Sequence, residues 1–203
     1  MNLKLKPLDK KDEKRAIEFA IKGMNLDIYF NDRFSLMLYA KYFWYLESGK
    51  ATQSIAAYAD GKFAGILIAS FKNEKPLGNP VLKKLYVKAF EFISDLFFKN
   101  SAGAYGRANE EMYAEFIRNN TPDGEMVFLA ADPEYQGRGI GTALLTELAK
   151  REKGKQVFLY TDDKCSYEFY EKRGFDRSSE RDILMEINGK KIPLKCFLYS
   201  KRL

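Results

Sequence analysis

A glycine-rich loop at residues 136–141, with the sequence QGRGIG, stands between two segments of different pattern. The apolar run 125–131 before it predicts a strand, and the apolar spacing of 139–153 after it predicts a helix. Glycines at alternate positions let the backbone approach a ligand closely and direct several N–H groups toward one point. Because a helix N-terminus carries partial positive charge, this strand–loop–helix unit favours phosphate oxygens, and Arg138 can add a charge-assisted contact.

Several interpretations compete for this loop, including one in which the glycines only form a tight turn. A P-loop ends in Gly-Lys-Ser/Thr, whereas Gly141 is followed by Thr142 with no lysine. A dinucleotide-binding fingerprint has the spacing G-x-G-x-x-G close to a strand end, whereas here the spacing is G-x-G-x-G after the turn 132–136. The dinucleotide interpretation stays open because Asp162 ends the next predicted strand, where a ribose-binding acid would lie.

The remaining interpretation rests on similarity to a known family. Residues 127–141, VFLAADPEYQGRGIG, resemble the central strand and loop of the GNAT acetyltransferases, whose signature is Gln/Arg-x-x-Gly-x-Gly/Ala. Residues 169–175, FYEKRGF, resemble the end of the downstream helix in the same family. The resemblance covers about 125–176, and a predicted hairpin at 53–71 fits the preceding strands of the family in pattern only.

The resemblance implies the GNAT fold, an α/β (α+β) structure in which helices flank a mixed central β-sheet that is splayed at its central strand. Residues 1–203 are then expected to form one domain, with a helical insertion at about 74–121 between the third and fourth strands. A chain of 203 residues with 46% hydrophobic residues is long enough to bury the core of such a domain.

Periodicity and turn residues predict the individual elements. Strands are predicted at 3–8, 53–59, 62–71, 125–131, 156–161, 183–187 and 194–203, and helices at 12–28, 33–47, 81–99, 109–118, 139–153 and 165–172. Loops are expected at 72–80 and 101–106. The pair Asp60-Gly61 predicts a two-residue hairpin turn, because both positions of that turn require positive φ. A second turn is expected at Asn188-Gly189.

Composition excludes several classes of function. The chain has no histidine, which rules out His-dependent nucleophilic triads and His-ligated metal sites. Its cysteines, Cys165 and Cys196, have no metal-binding spacing, so we expect no metal. The net charge of +6 is interleaved along the chain rather than blocked, so nucleic acid is not expected as a partner. The chain shows no membrane-spanning run and no signal peptide, so we expect a cytoplasmic protein.

The resemblance implies a reaction in which acetyl-CoA, a cosubstrate, passes its acetyl group directly to an amine. The amine must lose a proton, and the leaving thiolate must gain one. Tyr170 matches the tyrosine that often acts as the general acid in this family, and a phenol with a pKa of about 10 stays protonated at neutral pH. Glu125, eleven residues before Gln136, stands where the histone-acetyltransferase branch has its general base. Solvent exposure at a strand start is the alternative for Glu125.

The resemblance also implies a set of cofactor-binding residues. In the family the corresponding strand positions bind the pantetheine arm through their backbone, and the loop binds the pyrophosphate. The set comprises Leu129, Ala130, Ala131, Gln136, Gly137, Arg138, Gly139, Ile140, Gly141, Thr142, Asp163 and Tyr170. Asp163 departs from the family, where many members have asparagine, so a carboxylate replaces the amide at this CoA contact. Cys165 is interpreted as a structural cysteine, although the adjacent Lys164 could lower a thiol pKa.

Three functions therefore remain under consideration. The first is an N-acetyltransferase acting on a small-molecule or peptide amine. The second is a non-catalytic acyl-CoA-binding or regulatory module, and the third is a dinucleotide-binding protein. The insertion at about 74–121 and the aromatic helix at 33–47 are expected to shape the acceptor pocket or an interface between two copies of the chain, as in a homodimer.

Overall fold

The computed structural model of the chain describes residues 1–77, 81–97, 102–187 and 190–203. Its strands are β1 (Leu3–Lys6), β2 (Gln53–Ala59), β3 (Lys62–Phe71), β4 (Gly124–Ala131), β5 (Gln156–Asp162), β6 (Asp176–Ile187) and β7 (Lys190–Arg202). Its helices are α1 (Glu13–Gly23), α2 (Arg33–Lys50), α3 (Val81–Phe97), α4 (Ala102–Phe116), α5 (Ile140–Arg151) and α6 (Glu168–Glu171).

The strands form a mixed sheet in the order β1-β2-β3-β4-β5-β7-β6. Neighbouring strands are antiparallel except for β4 and β5, which run parallel. Their pairing covers only Gly124 with Val157 and Glu125 with Phe158, so the two strands diverge toward their C-terminal ends. The predicted mixed sheet, splayed at its central strand, is confirmed. A doubly wound parallel sheet, which the dinucleotide interpretation required, is absent from the described residues.

Helices cover both faces of this sheet. On one face α5 packs against β2 and β3 through Leu144 and Leu148, which are fully buried. On the other face α1 and α2 cover β2 to β4, and α4 covers β5 to β7. Strand β3 is buried on both faces, which explains its unbroken apolar run. None of the helices in the described part of the chain combines the length and apolar character needed to cross a membrane.

The first hairpin agrees with its prediction in detail. The β2 and β3 strands have the predicted bounds, and the turn residues Asp60 and Gly61 have φ angles of 49° and 80°. Asp60 is further tied to the N-terminal strand, because its Oδ1 accepts the N–H of Asn2 at 2.8 Å. The turn chemistry therefore specifies this hairpin locally.

The structure corrects other boundaries. The loop predicted at 101–106 is wrong from residue 102 onward, because α4 begins at Ala102 and includes Gly103 and Gly106. Burial of Met112 and Phe116 against the sheet outweighs the low helix propensity of glycine. Strand β1 ends before Pro7, which lacks the N–H that a strand pair uses. The structure also shortens the predicted helix 12–28, since α1 ends at Gly23 and a short 3-10 turn follows at Leu26–Tyr29.

Differences near the C-terminus concern the ends of elements. The predicted helix 165–172 contains turns and only one helical segment, Glu168–Glu171. The last two strands are longer than predicted and pair from Asp176 with Ser200 to Ile187 with Lys190. The predicted turn at Asn188-Gly189 and parts of the 72–80, 81–99 and 101–106 segments lie outside the described residues.

Candidate functional site

Strand β4 has one edge paired with β3 and one edge largely free. A β-bulge at Val127 interrupts the β3 pairing, since Ile68 pairs with Phe128 and the next residue, Ala69, pairs with Met126. The bulge turns Met126 toward α5 and Phe128 toward α1 and α2. Because the pairing with β5 ends at residue 125, the backbone groups on that edge of 126–131 face the opening between the strands.

The three strand residues predicted to bind the pantetheine arm lie along this opening. Leu129 is half-buried against the core under α5, Ala130 is buried against α1, and Ala131 is exposed at the strand end. A side chain at Gly23 would meet the Ala130 Cβ at 3.2 Å, so α1 crosses β4 closely here. The structure therefore places these three residues where β4 and β5 separate.

The glycine loop follows β4 directly. A short 3-10 turn, Pro133–Tyr135, begins after Asp132, whose Oδ1 accepts the Glu134 N–H at 3.1 Å. Gly137 and Gly139 both have positive φ, 75° and 79°, and Gly139 precedes the first residue of α5. A Cβ at either glycine would meet nothing within 4 Å, so their role is conformational and the space beside them is open.

The first turn of α5 presents N–H groups that have no acceptor among the described residues. The Ala143 N–H donates to the Gly139 carbonyl at 2.9 Å, and the N–H groups of the three preceding residues have no acceptor within the helix. Those residues are Ile140, Gly141 and Thr142. The Ile140 side chain is buried and anchors the turn, while Gln136 and Arg138 are exposed on the loop. The loop and helix end can therefore bind an anion through backbone N–H groups.

Gly141 is required for a different reason. A Cβ at this position would lie 2.9 Å from Cε2 and 3.0 Å from Cζ of Phe169. Phe169 begins the segment FYEKRGF, and the Arg173 guanidinium covers its ring at 3.6 Å from the centroid. The contact brings the first turn of α5 against α6, so the two motifs found in the sequence meet in space.

We expect Gly141→Ala to destabilise the protein by about 1–2 kcal/mol, because the added methyl group must displace the Phe169 ring. In an exposed helix the same change stabilises by roughly 0.5–1 kcal/mol. Gly106→Ala is the matched control, since a Cβ there meets nothing within 4 Å on α4. Urea unfolding of both variants measures the effect, and stabilisation by Gly141→Ala would contradict the close contact.

Tyr170 lies in α6 within an aromatic cluster. Its ring packs edge-on against Phe169 and Phe175, at centroid distances of 5.3 and 5.6 Å, and near Tyr199 at 6.3 Å. Burial raises the pKa of the Tyr170 phenol, with a smaller contribution from Cys165. No group in the described part of the chain hydrogen-bonds to its hydroxyl. The phenol is therefore protonated at neutral pH and has its proton available for a ligand.

Glu125 lies at the point where β4 and β5 separate, paired with Ser70 on one side and Phe158 on the other. Burial raises the pKa of its carboxyl above the ordinary value of 4.5, and Glu47 raises it further, while Lys50 opposes the shift. The side chain is half-buried, so Glu125 is not the solvent-exposed residue that the alternative interpretation expected. A carboxyl with a raised pKa is a better proton acceptor.

Three other candidate residues lie at the end of β5 and in the loop that follows it. Asp162 is buried, and its Oδ1 accepts the Lys164 N–H at 2.9 Å, so it organises the loop. Asp163 accepts the Lys195 N–H at 3.2 Å and borders a cavity of about 550 Å³. Burial raises the pKa of the Cys165 thiol to about 12, with Asp162 contributing, which agrees with a structural cysteine. The Cys165 thiol is therefore protonated at neutral pH.

Sequence reasoning did not anticipate Arg173. Its guanidinium donates to Thr142 Oγ1 from Nε at 3.1 Å and from Nη2 at 2.5 Å, which links the end of α6 to the start of α5. The available signal was its position inside FYEKRGF, but spacing along the chain does not show that a residue 31 positions away is its partner.

A model of the acetyltransferase (GNAT) domain matches residues 104–177. This match spans β4, the glycine loop, α5 and α6, the elements that form the site. The chain contains a GNAT acetyltransferase domain. The recognition made from the two sequence motifs is thereby confirmed.

Two curated N-acetyltransferases are similar to part of the chain. It is 32% identical over 84 residues to glucosamine 6-phosphate N-acetyltransferase from Trypanosoma brucei brucei, covering 40% of this chain and 56% of that protein. It is 37% identical over 67 residues to the N-alpha-acetyltransferase RimI from Mycobacterium tuberculosis, covering 32% of this chain and 42% of that protein. The chain thus spans about half the length of the curated relatives it matches.

Solved structures extend the GNAT likeness to the whole fold. The PaiA N-acetyltransferase from Thermoplasma acidophilum, crystallised with coenzyme A, superposes with a TM-score of 0.54 over 100% of both chains. At 16% sequence identity this similarity concerns the fold alone.

Proposed function

We propose that this protein transfers an acetyl group from acetyl-CoA directly to a primary amine. The observation that carries the proposal is the coincidence of two features within the segment that matches the GNAT domain. Strands β4 and β5 separate after residue 125, and the glycine loop presents the unpaired N–H groups of α5 beside the end of β4. Such an arrangement can hold an extended cofactor with a phosphate group at one end.

The residues present fit coenzyme A. Gly137 and Gly139 leave open space beside a backbone that only glycine adopts without strain, and Arg138 adds a positive charge. The pyrophosphate would be held by the N–H groups of this loop and of Ile140 to Thr142. The pantetheine arm would lie along the free edge of β4 at 129–131. Bound acetyl-CoA would supply an activated thioester to the amine.

Glu125 and Tyr170 would carry out the two proton transfers of the reaction. The raised pKa of the Glu125 carboxyl makes it a stronger base toward the ammonium form of the acceptor, directly or through water. The Tyr170 hydroxyl, protonated and without an acceptor among the described residues, would donate to the leaving thiolate. The two residues differ in the direction of proton transfer, and the burial of each favours the neutral form.

The experiment that tests this function measures release of the CoA thiol from acetyl-CoA. The acceptor panel contains amines, amino acids, polyamines, aminoglycosides and lysine peptides. It also contains glucosamine 6-phosphate and peptides with a free N-terminal amine, because the two relatives are named for these different acceptors. We expect release with one class of amine. Binding of acetyl-CoA without release across the panel would favour a non-catalytic acyl-CoA-binding module, and binding of NAD but not CoA would overturn the proposal.

A further inference from the structure

Arg173 is held over the first turn of α5. Its guanidinium lies on the Phe169 ring, with the Nη1 group donating to the Phe169 carbonyl oxygen at 3.0 Å. The two hydrogen bonds to Thr142 Oγ1 fix the other side of the group. Thr142 is the third residue of α5, so the guanidinium lies beside the end of the helix that carries partial positive charge.

The positive charges of the Arg173 guanidinium and of the helix N-terminus favour an anion at this position. Both oxygens that Arg173 contacts are neutral, and in the described part of the chain no carboxylate forms an ion pair with it. A guanidinium next to a helix N-terminus, which carries a charge equivalent to about +0.5, is repelled until a negative group lies between them. The neighbouring Lys172 does not supply one, since it is itself a cation that lies 3.9 Å from Glu168.

Several hydrogen-bond donors at the first turn of α5 have no acceptor among the described residues. A guanidinium has five N–H donors, and three of those in Arg173 are used within the described part of the chain, which leaves one on Nη1 and one on Nη2. Because Thr142 Oγ1 accepts from Arg173, its own hydroxyl proton is free to point to another acceptor. The unpaired backbone N–H groups of Gly141 and Thr142 belong to the same helical turn.

We propose that Arg173 is a second arginine of the pyrophosphate site, in addition to Arg138, and that it positions the Thr142 hydroxyl toward the same phosphate. The assignment rests on the proposed function, since it requires that the chain bind a CoA-type ligand. The cavity of about 550 Å³ borders Arg173, Lys172 and Ser166, and it provides room for the rest of the nucleotide. Two carboxylates also line this cavity: Asp163, which accepts the Lys195 N–H at 3.2 Å, and Glu168, which lies 3.9 Å from the Lys172 ammonium.

The test compares two ligands by isothermal titration calorimetry: CoA, and dephospho-CoA, which has the pyrophosphate but lacks the 3′-phosphate. Arg173→Leu is expected to weaken both by the same factor, about 10- to 100-fold, since hydrogen bonds to charged groups contribute roughly 1.5–3 kcal/mol. Arg173→Lys is expected to restore part of the loss, and Kd of the Leu variant is expected to depend less on ionic strength.

Arg151→Leu is the matched control, because it removes the same charge at the opposite end of α5, about 13 Å along the helix axis from Thr142. Arg151 pairs with Glu147 on the surface, so affinity for both ligands is expected to be unchanged. Unchanged affinity in Arg173→Leu overturns the assignment, and so does a loss for CoA that spares dephospho-CoA, which would place Arg173 at the 3′-phosphate.

A second variant, Thr142→Val, tests the proposal independently in case Arg173→Leu misfolds. Thr142→Val keeps the shape of the side chain and removes its hydroxyl, and it is expected to weaken both ligands several-fold. Full affinity in Thr142→Val would contradict the positioning role. If the wild-type protein binds neither ligand, the proposed function itself fails, whereas wild-type binding with unaffected variants removes only the assignment of Arg173.

Discussion

Tyr170→Phe is expected to lower kcat by about 10²- to 10⁴-fold, the range typical of losing a positioned general acid. The Phe ring can keep the packing against Phe169, Phe175 and Tyr199, and the hydroxyl makes no hydrogen bond within the described residues. Thermal unfolding and CoA affinity should therefore change little. Steady-state kinetics with the amine identified in the panel, together with calorimetry, measure these three quantities.

Tyr58→Phe is the matched control for the loss of one phenolic hydroxyl. Tyr58 lies on β2 and donates to Asp12 at 2.9 Å, on the sheet face opposite α5. We expect this variant to lose stability and to keep its kcat. Unchanged kcat in Tyr170→Phe, with an unchanged pH profile, would exclude Tyr170 as the acid.

Glu125→Gln is expected to lower kcat/KM by about 10²-fold and to remove the acidic limb of its pH profile. A general base acts only when deprotonated, so activity in the wild type rises as the pH increases through the pKa of Glu125. Since burial and Glu47 raise this pKa, the limb should lie above the ordinary carboxyl value of 4.5. The pH dependence of kcat/KM for both proteins provides the measurement.

Glu47→Gln tests the cause of the shift without touching the base. Removing the Glu47 charge eliminates its repulsion and frees Lys50, which lies 2.8 Å from Glu47, to stabilise the ionised Glu125. The pKa of Glu125 should fall, so the acidic limb should move to lower pH. An acidic limb that persists unchanged in Glu125→Gln would assign it to another group.

Glu125→Gln has a second expected consequence for stability. A carboxyl with a raised pKa in the folded state opposes folding as the pH rises through that pKa, because its charged form is disfavoured by burial. The neutral amide removes this effect. The thermal midpoint of Glu125→Gln at pH 8 should therefore equal or exceed that of the wild type, even though the variant is slower.

Local signals were sufficient for the parts of the fold that depend on backbone conformation and short-range periodicity. The Asp60-Gly61 turn was predictable because few residues adopt positive φ at two successive positions. The β4–loop–α5 unit was predictable because an apolar strand, spaced glycines and an amphipathic helix follow one another directly. The start of α4 was not, because burial of its apolar face against β5 to β7 outweighs the glycines at 103 and 106.

The candidate site also combines features that the sequence predicts with features that only the folded structure shows. The amino-acid sequence by itself determined the family, the glycine loop and the identity of Tyr170 and Glu125 as candidates, since these lie within contiguous motifs. Only the tertiary structure decided at which residue β4 and β5 part, that Glu125 is desolvated near Glu47, and that Arg173 reaches Thr142. The physical reason is that burial and charge pairing depend on which distant segments pack together, and no local pattern specifies that packing.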